Sequence, residues 1–186
     1  MKTTSRSILL LIFLFIRVSA DTEDFKNLKV YAGITHTTYN SEFANIWQEN
    51  VPLLLQLETN YLYFDFTASF CYSYYTSEIE NYQGVKVDMA LSYPVRLTNF
   101  AHISFGIKAG NYLMIFDLEN RHAAKESELY VGAELSLHTT LWRNFLAKVS
   151  YEHNRIYTKR RIDFSELALL FGYSFKTPQF LKEFLK

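Results

Sequence analysis

From Leu28 to Phe175, apolar side chains recur at every second position, and no other feature restricts the chain as strongly. A period of two belongs to the β-strand, whose successive side chains point to opposite faces. Eight runs carry it, over 28–39, 51–59, 61–76, 84–94, 99–116, 127–138, 144–157 and 162–175. In the third run Leu62, Phe64, Phe66, Ala68, Phe70, Tyr72 and Tyr74 share one face, and Tyr63, Asp65, Thr67, Ser69, Cys71 and Ser73 share the other. The eighth sets Leu167, Leu169, Phe171, Tyr173 and Phe175 against Glu166, Ala168, Leu170, Gly172 and Ser174. Each run thus has a greasy face and a polar or small one, with Leu146 and Leu170 as exceptions.

Two architectures yield that pattern. A secreted carrier of the lipocalin type turns its apolar face inward around a ligand, whereas a transmembrane barrel turns it outward to lipid and fills its lumen with polar groups. The N-terminus bears on the choice. Lys2 and Arg6 precede the apolar stretch Ile8–Ile16, and Val18-Ser19-Ala20 offers a small-residue cleavage pattern before Asp21. That is the anatomy of a secretory signal peptide over 1–20, and its apolar stretch is too short to span a bilayer. No later segment is an apolar helix of spanning length, so an exported membrane protein of this sequence has to cross as a closed barrel. Run lengths suit the ~9–11 residues of a tilted spanning strand. Aromatic residues lie towards run ends (Tyr61, Tyr74, Tyr93, Phe100, Trp142, Phe145, Tyr157, Phe175), as interfacial girdles would place them. The expected fold is therefore an all-β, eight-stranded antiparallel up-and-down transmembrane barrel over 21–176.

The connections set an orientation. Short turns are expected at Thr59-Asn60, at 95–98 and at 139–143. Glu58-Thr59-Asn60-Tyr61, Leu97-Thr98-Asn99-Phe100 and Trp142-Arg143-Asn144-Phe145 form a weak internal repeat, an Asn and an aromatic opening the next strand. The connections near 40–50, 77–83, 117–126 and 158–161 are longer and more polar on average. Short turns face the periplasm in such barrels and long loops face outside, so both termini are expected in the periplasm. Beyond Pro178, Phe180, Leu181, Phe184 and Leu185 fall at helical spacing, which predicts a short amphipathic tail over 177–186.

With its signal peptide and the closing strand Ser165-Glu166-Leu167-Ala168-Leu169-Leu170-Phe171-Gly172-Tyr173-Ser174-Phe175, the chain resembles the small eight-stranded outer-membrane β-barrel superfamily. That superfamily includes the transmembrane domain of outer-membrane protein A. The resemblance implies a Gram-negative outer membrane, surrounding lipid that includes lipopolysaccharide, and recognition of the last strand by the barrel-assembly machinery. In the family the closing aromatic often ends the chain, whereas here residues 176–186 follow Phe175. No peptidoglycan-binding domain follows either, so the resemblance implies no anchoring to the cell wall.

Strand parity puts ten charges inside: Lys29, Lys86, Lys108 and Lys148, with Glu58, Asp65, Asp88, Glu134, Glu152 and Glu166. Charges in a low-dielectric interior have to be paired or hydrogen-bonded. An eight-stranded barrel is only wide enough for its own side chains, so the set reads as a plug rather than an ion path. Arg155, Lys159, Arg160 and Arg161 cluster around the last outer loop and could meet lipopolysaccharide phosphates. Catalytic chemistry is thinly supported. A lipid A deacylase needs a His and a Ser at the outer end of a strand. His153 is followed by Asn154 and Arg155, His36 by Thr37 and Thr38, and His102-Ile103-Ser104 falls at the wrong end. The histidines and the lone Cys71 lack metal-ligand spacing, and no glycine loop could cradle a phosphate, so no cofactor is expected. The 19 basic and 19 acidic residues cancel, which argues against a nucleic-acid partner. The leading expectation is a non-enzymatic barrel serving envelope structure or surface interaction.

Overall fold

In the computed structural model, residues 25–39, 48–50, 52–77, 81–116, 125–157 and 162–185 are described. The signal segment 1–20, the basic residues Lys159, Arg160 and Arg161, and most of the four longer connections lie outside them. Alternation becomes strand along almost the whole remainder: β1 (Asn27–Tyr39), β2 (Gln48–Glu49), β3 (Leu53–Tyr61), β4 (Phe64–Thr76), β5 (Tyr82–Arg96), β6 (Ala101–Phe116), β7 (Lys125–Trp142), β8 (Phe145–Ile156) and β9 (Ile162–Lys176). A helix, α1 (Gln179–Leu185), follows.

Every pairing is antiparallel, and the order β4-β3-β1-β9-β8-β7-β6-β5 returns to β4. The sheet is a closed eight-stranded barrel. β2 is an extra piece that continues the line of β3 along β4, pairing Glu49 with Tyr75. Pro52, with no amide hydrogen to donate, stands in the gap between β2 and β3.

Turn positions depart from the expected ones where Asn serves another purpose. Thr59 and Asn60 are strand residues, and the chain reverses at Leu62-Tyr63 instead. Asn60 Oδ1 accepts hydrogen bonds from the amides of Lys26 (3.1 Å) and Asn27 (3.4 Å), so the side chain anchors the start of β1 rather than shaping a turn. Leu62 (φ 52°) and Arg143 (φ 49°) take the positive φ that two-residue hairpins demand, without a glycine to ease it. β5 runs through Pro94 to Arg96, beyond the expected end at 94, and β7 reaches Trp142 rather than stopping at 138.

The faces sort by polarity in the sense opposite to that of a water-soluble protein. Outward positions carry Val30, Ile34, Leu53, Leu55, Leu57, Phe70, Met89, Phe105, Ile107, Leu135, Leu137, Val149, Leu169 and Phe171, all exposed. Inward positions carry Thr, Ser, Gln, Lys, Asp, Glu and Tyr, nearly all buried. A lipocalin-like arrangement is thereby overturned, since among the described residues no row of aliphatic side chains lines the interior. At the loop end the lumen closes on Tyr75, Tyr82, Tyr112, Tyr130, Met114, Ile156 and Phe164. Tyr75 and Tyr82 stack with centroids 4.3 Å apart. Nearer the turn end, Tyr31, Leu54, Cys71, Ala168 and Leu170 pack together with Leu146 beside them, which explains the two apolar exceptions on the polar face. Gly172 lacks a Cβ because the ring of Tyr31 occupies that space.

Candidate functional site

Register brings like charges together before side chains separate them. Across β7, β8 and β9, Glu134 stands opposite Glu152 and Glu152 opposite Glu166, a row of three buried carboxylates. Like charges directly opposite are destabilising. Each carboxylate of the row meets its own lysine. Lys148 Nζ lies 2.8 Å from Glu134, Lys108 Nζ lies 2.6 Å from Glu152, and Lys86 Nζ bonds Glu166. The three lysines come from β8, β6 and β5, so this pairing ties strands together through the interior.

The remaining charges flank this row. Towards the turn end, Glu58 gathers Lys29 (2.6 Å), Lys148 (3.6 Å) and His138 (3.8 Å). His138 also lies 2.9 Å from Ser136 Oγ and 3.4 Å from the Tyr31 hydroxyl, and its ring stacks on that of His102 with centroids 4.3 Å apart. Asp65 is 3.9 Å from His102 Nε2. Towards the loop end, Asp88 lies 3.3 Å from Lys108 and accepts a 2.5 Å bond from the Tyr130 hydroxyl. Asn154 Nδ2 donates to both Glu152 (3.4 Å) and Glu166 (3.3 Å). All ten charges named from parity occupy inward positions, and only Lys29 is more than slightly exposed. Among the described residues nine of them form two groups, one around Glu58 and one around Glu152 and Glu166, with no hydrogen bond or ion pair joining the two, and Asp65 reaches the first only through His102, stacked on His138.

Two features of the interior escaped the sequence. Glu49 falls in the connection expected near 40–50, yet Tyr75 donates to it at 2.5 Å and the Thr37 amide at 3.1 Å. Its signal was faint, because two residues of β2 are too few to show a period. The tyrosine seal obeys the same strand parity as the charges, but parity does not bring its rings together into one cluster.

On the outer wall near the loop end, Arg155 and Asp163 form a two-pronged ion pair at 2.6 and 3.1 Å. Arg155 therefore already holds a carboxylate, while Lys159, Arg160 and Arg161 lie outside the described residues. Beside this pair, His153 Nδ1 is 3.1 Å from Ser165 Oγ, to which the Tyr151 hydroxyl donates at 3.2 Å. The serine missing near His153 in sequence is supplied by the neighbouring strand, as the pairing of His153 with Ser165 dictates. His36 lies exposed on the outward face of β1, opposite Leu167.

No family model matches the chain, and no curated relative does. Solved structures do resemble it. Neisserial surface protein A superposes with a TM-score of 0.62 at 10% identity, covering 80% of this chain and 96% of that one. Ail, the attachment invasion locus protein of Yersinia pestis, gives 0.57 at 13% identity in its complex with the heparin analogue sucrose octasulfate, over 81% of this chain and 99% of that one. The N-terminal barrel domain of Pseudomonas aeruginosa OprF gives 0.52 at 13% identity, over 82% and 100%. The closed eight-stranded sheet, its greasy exterior and these three likenesses agree: the chain has the fold of the small eight-stranded outer-membrane β-barrels.

Proposed function

We propose that the protein resides in the outer membrane of a Gram-negative bacterium as a non-enzymatic barrel with a filled, charged lumen, serving envelope structure or surface interaction. One observation carries the reading: an outer wall of Leu, Ile, Val, Phe and Met surrounds an interior of paired lysines and carboxylates. Monomeric soluble proteins rarely expose an apolar patch above a few hundred Å². A lipid bilayer makes the same surface favourable.

In this reading the signal peptide over 1–20 is removed, the barrel spans 21–176, and the tail 177–186 lies at the periplasmic leaflet. Both termini and the short turns face the periplasm. β9 supplies the recognition segment for barrel assembly. Lipopolysaccharide phosphates are the partner for Lys159, Arg160 and Arg161, with Arg155 contributing what its bond to Asp163 leaves free. Ail with bound sucrose octasulfate is a precedent for a polyanion on this fold. The test is expression with the leader in a Gram-negative host. The protein should sediment with outer membranes, need detergent for extraction and migrate faster unboiled than boiled. Recovery from the soluble periplasm would overturn the proposal.

The contact between His153, Ser165 and Tyr151 favours a second reading, an enzyme that modifies lipid A from the outer leaflet. A serine hydroxyl beside an imidazole is the start of an acyl-transfer site. Among the described residues no carboxylate orients His153 from behind, so the first reading stands ahead. Lipid A mass spectra from cells expressing the wild type, His153→Ala and Ser165→Ala decide between the two. Identical acyl patterns in all three are expected; a pattern altered by the wild type alone would establish the enzyme.

A further inference from the structure

The lumen is sealed at one end and hollow at the other. At the turn end a cavity of about 710 Å³ opens between the hairpins, lined by Lys29, Asp65, Arg96, Phe100, His102 and Arg143 among others. That volume lies within the range of small-molecule sites. Its inner end meets the buried Glu58 cluster through Lys29 and His138, so it is a blind pocket rather than a vestibule.

The lining is cationic and incompletely partnered. It contains three permanent cations and a single carboxylate, Asp65, which faces His102 at 3.9 Å. Arg96 bonds only neutral groups, the Thr98 carbonyl at 3.2 Å and Asn99 Oδ1 at 3.0 Å. Arg143 rests over the Trp142 ring at 5.0 Å. Neither guanidinium meets a carboxylate among the described residues, although charges elsewhere in the lumen are paired. His102 Nε2 is buried without a hydrogen-bond partner. Phe100, Val95 and Leu146 supply an apolar wall.

We infer that this pocket binds a small oxyanion, phosphate or carboxylate, borne on a body with an apolar portion. Arg96 and Arg143 present planar donor forks suited to two oxygens of one anionic group. The apolar portion rests against Phe100. The ligand is either a free solute or the headgroup of a phospholipid in the adjoining leaflet. That the pocket faces the periplasm rests on the orientation proposed above, but the binding itself does not.

Titration calorimetry in non-ionic detergent with benzenephosphonate tests the site. Saturable binding is expected, displaced by excess sulfate, with benzyl alcohol giving none. Arg96→Gln/Arg143→Gln should weaken binding about tenfold or more, while Lys125→Gln at the opposite end leaves it unchanged. In parallel, native mass spectrometry from phosphatidylglycerol nanodiscs asks whether lipid stays bound to the wild type and leaves the double variant. Retained lipid identifies the headgroup as the source, and benzenephosphonate binding without retained lipid identifies a free solute. Absence of both, or sulfate failing to displace bound probe from the wild-type protein, overturns the inference. So does equal affinity in a double variant that keeps its heat-modifiable migration.

Discussion

Lys148 illustrates how a charge becomes tolerable where water is excluded. Its ammonium sits between Glu134 at 2.8 Å and Glu58 at 3.6 Å, and its side chain has no exposed surface. Glu58 has Lys29 as a second cation, whereas Lys148 is the one cation that Glu134 contacts among the described residues. Removing one partner of a buried pair is strongly destabilising because the other stays behind uncompensated. Lys148→Met should therefore cost about 3–5 kcal/mol. Lys148→Met/Glu134→Leu, which removes both charges, should recover most of that loss. Urea unfolding of the wild type, Lys148→Met, Glu134→Leu and the double variant in lipid vesicles, read by tyrosine and tryptophan fluorescence, provides the double-mutant cycle. Additive losses would show that the two side chains do not act as a pair.

At the scale of the strand, alternation explains both what sequence disclosed and what it hid. A period of two assigns a face to every residue once one is known, so the outward row of β9 and the inward position of Glu166 follow from counting. Counting says nothing about register. Nothing in the order of residues places Ser165 beside His153, or aligns Glu134, Glu152 and Glu166 into one row; those facts arise only when hairpins close. The reversals at 97–100 and 143–144 fall a residue or more beyond the starts of the turns expected at 95–98 and 139–143, because β5 and β7 run on, and the one expected at Thr59-Asn60 falls at Leu62-Tyr63, because Asn60 is engaged by β1. Leu62 at positive φ carries no turn signature at all. The outward row itself is open to test. Leu169 lies mid-strand on β9, flanked by Val149 and Ile34. If lipid surrounds that row, Leu169→Arg near the bilayer midplane should cost about 2–4 kcal/mol, and the same change at Leu141, beside a hairpin, about 0–1 kcal/mol. Equal costs at the two positions would contradict a depth-dependent apolar environment.

At the scale of the molecule, the interior is stratified along its axis. A tyrosine seal lies at the loop end, paired charges fill the middle and a hollow occupies the turn end. If the column is filled as proposed, purified protein in planar bilayers should give no steady open-channel current. Replacing the seal by Tyr75→Ala/Tyr82→Ala/Tyr112→Ala should leave conductance near baseline as well, because the lysine–carboxylate row still closes the centre. A stable current from the wild type would contradict the filled lumen.

The seam between β1 and β9 has a temporal corollary. Every residue of β1 finds its partner in the final strand of the chain, from Asn27 with Lys176 to Tyr39 with Phe164. Until synthesis reaches those last residues, β1 and β8 each keep a bare edge whose amides and carbonyls acyl chains cannot satisfy. If the barrel lies in lipid as proposed, a half-made chain has no stopping place there. A truncation before Phe164 should then be lost to proteolysis rather than settle as a smaller barrel.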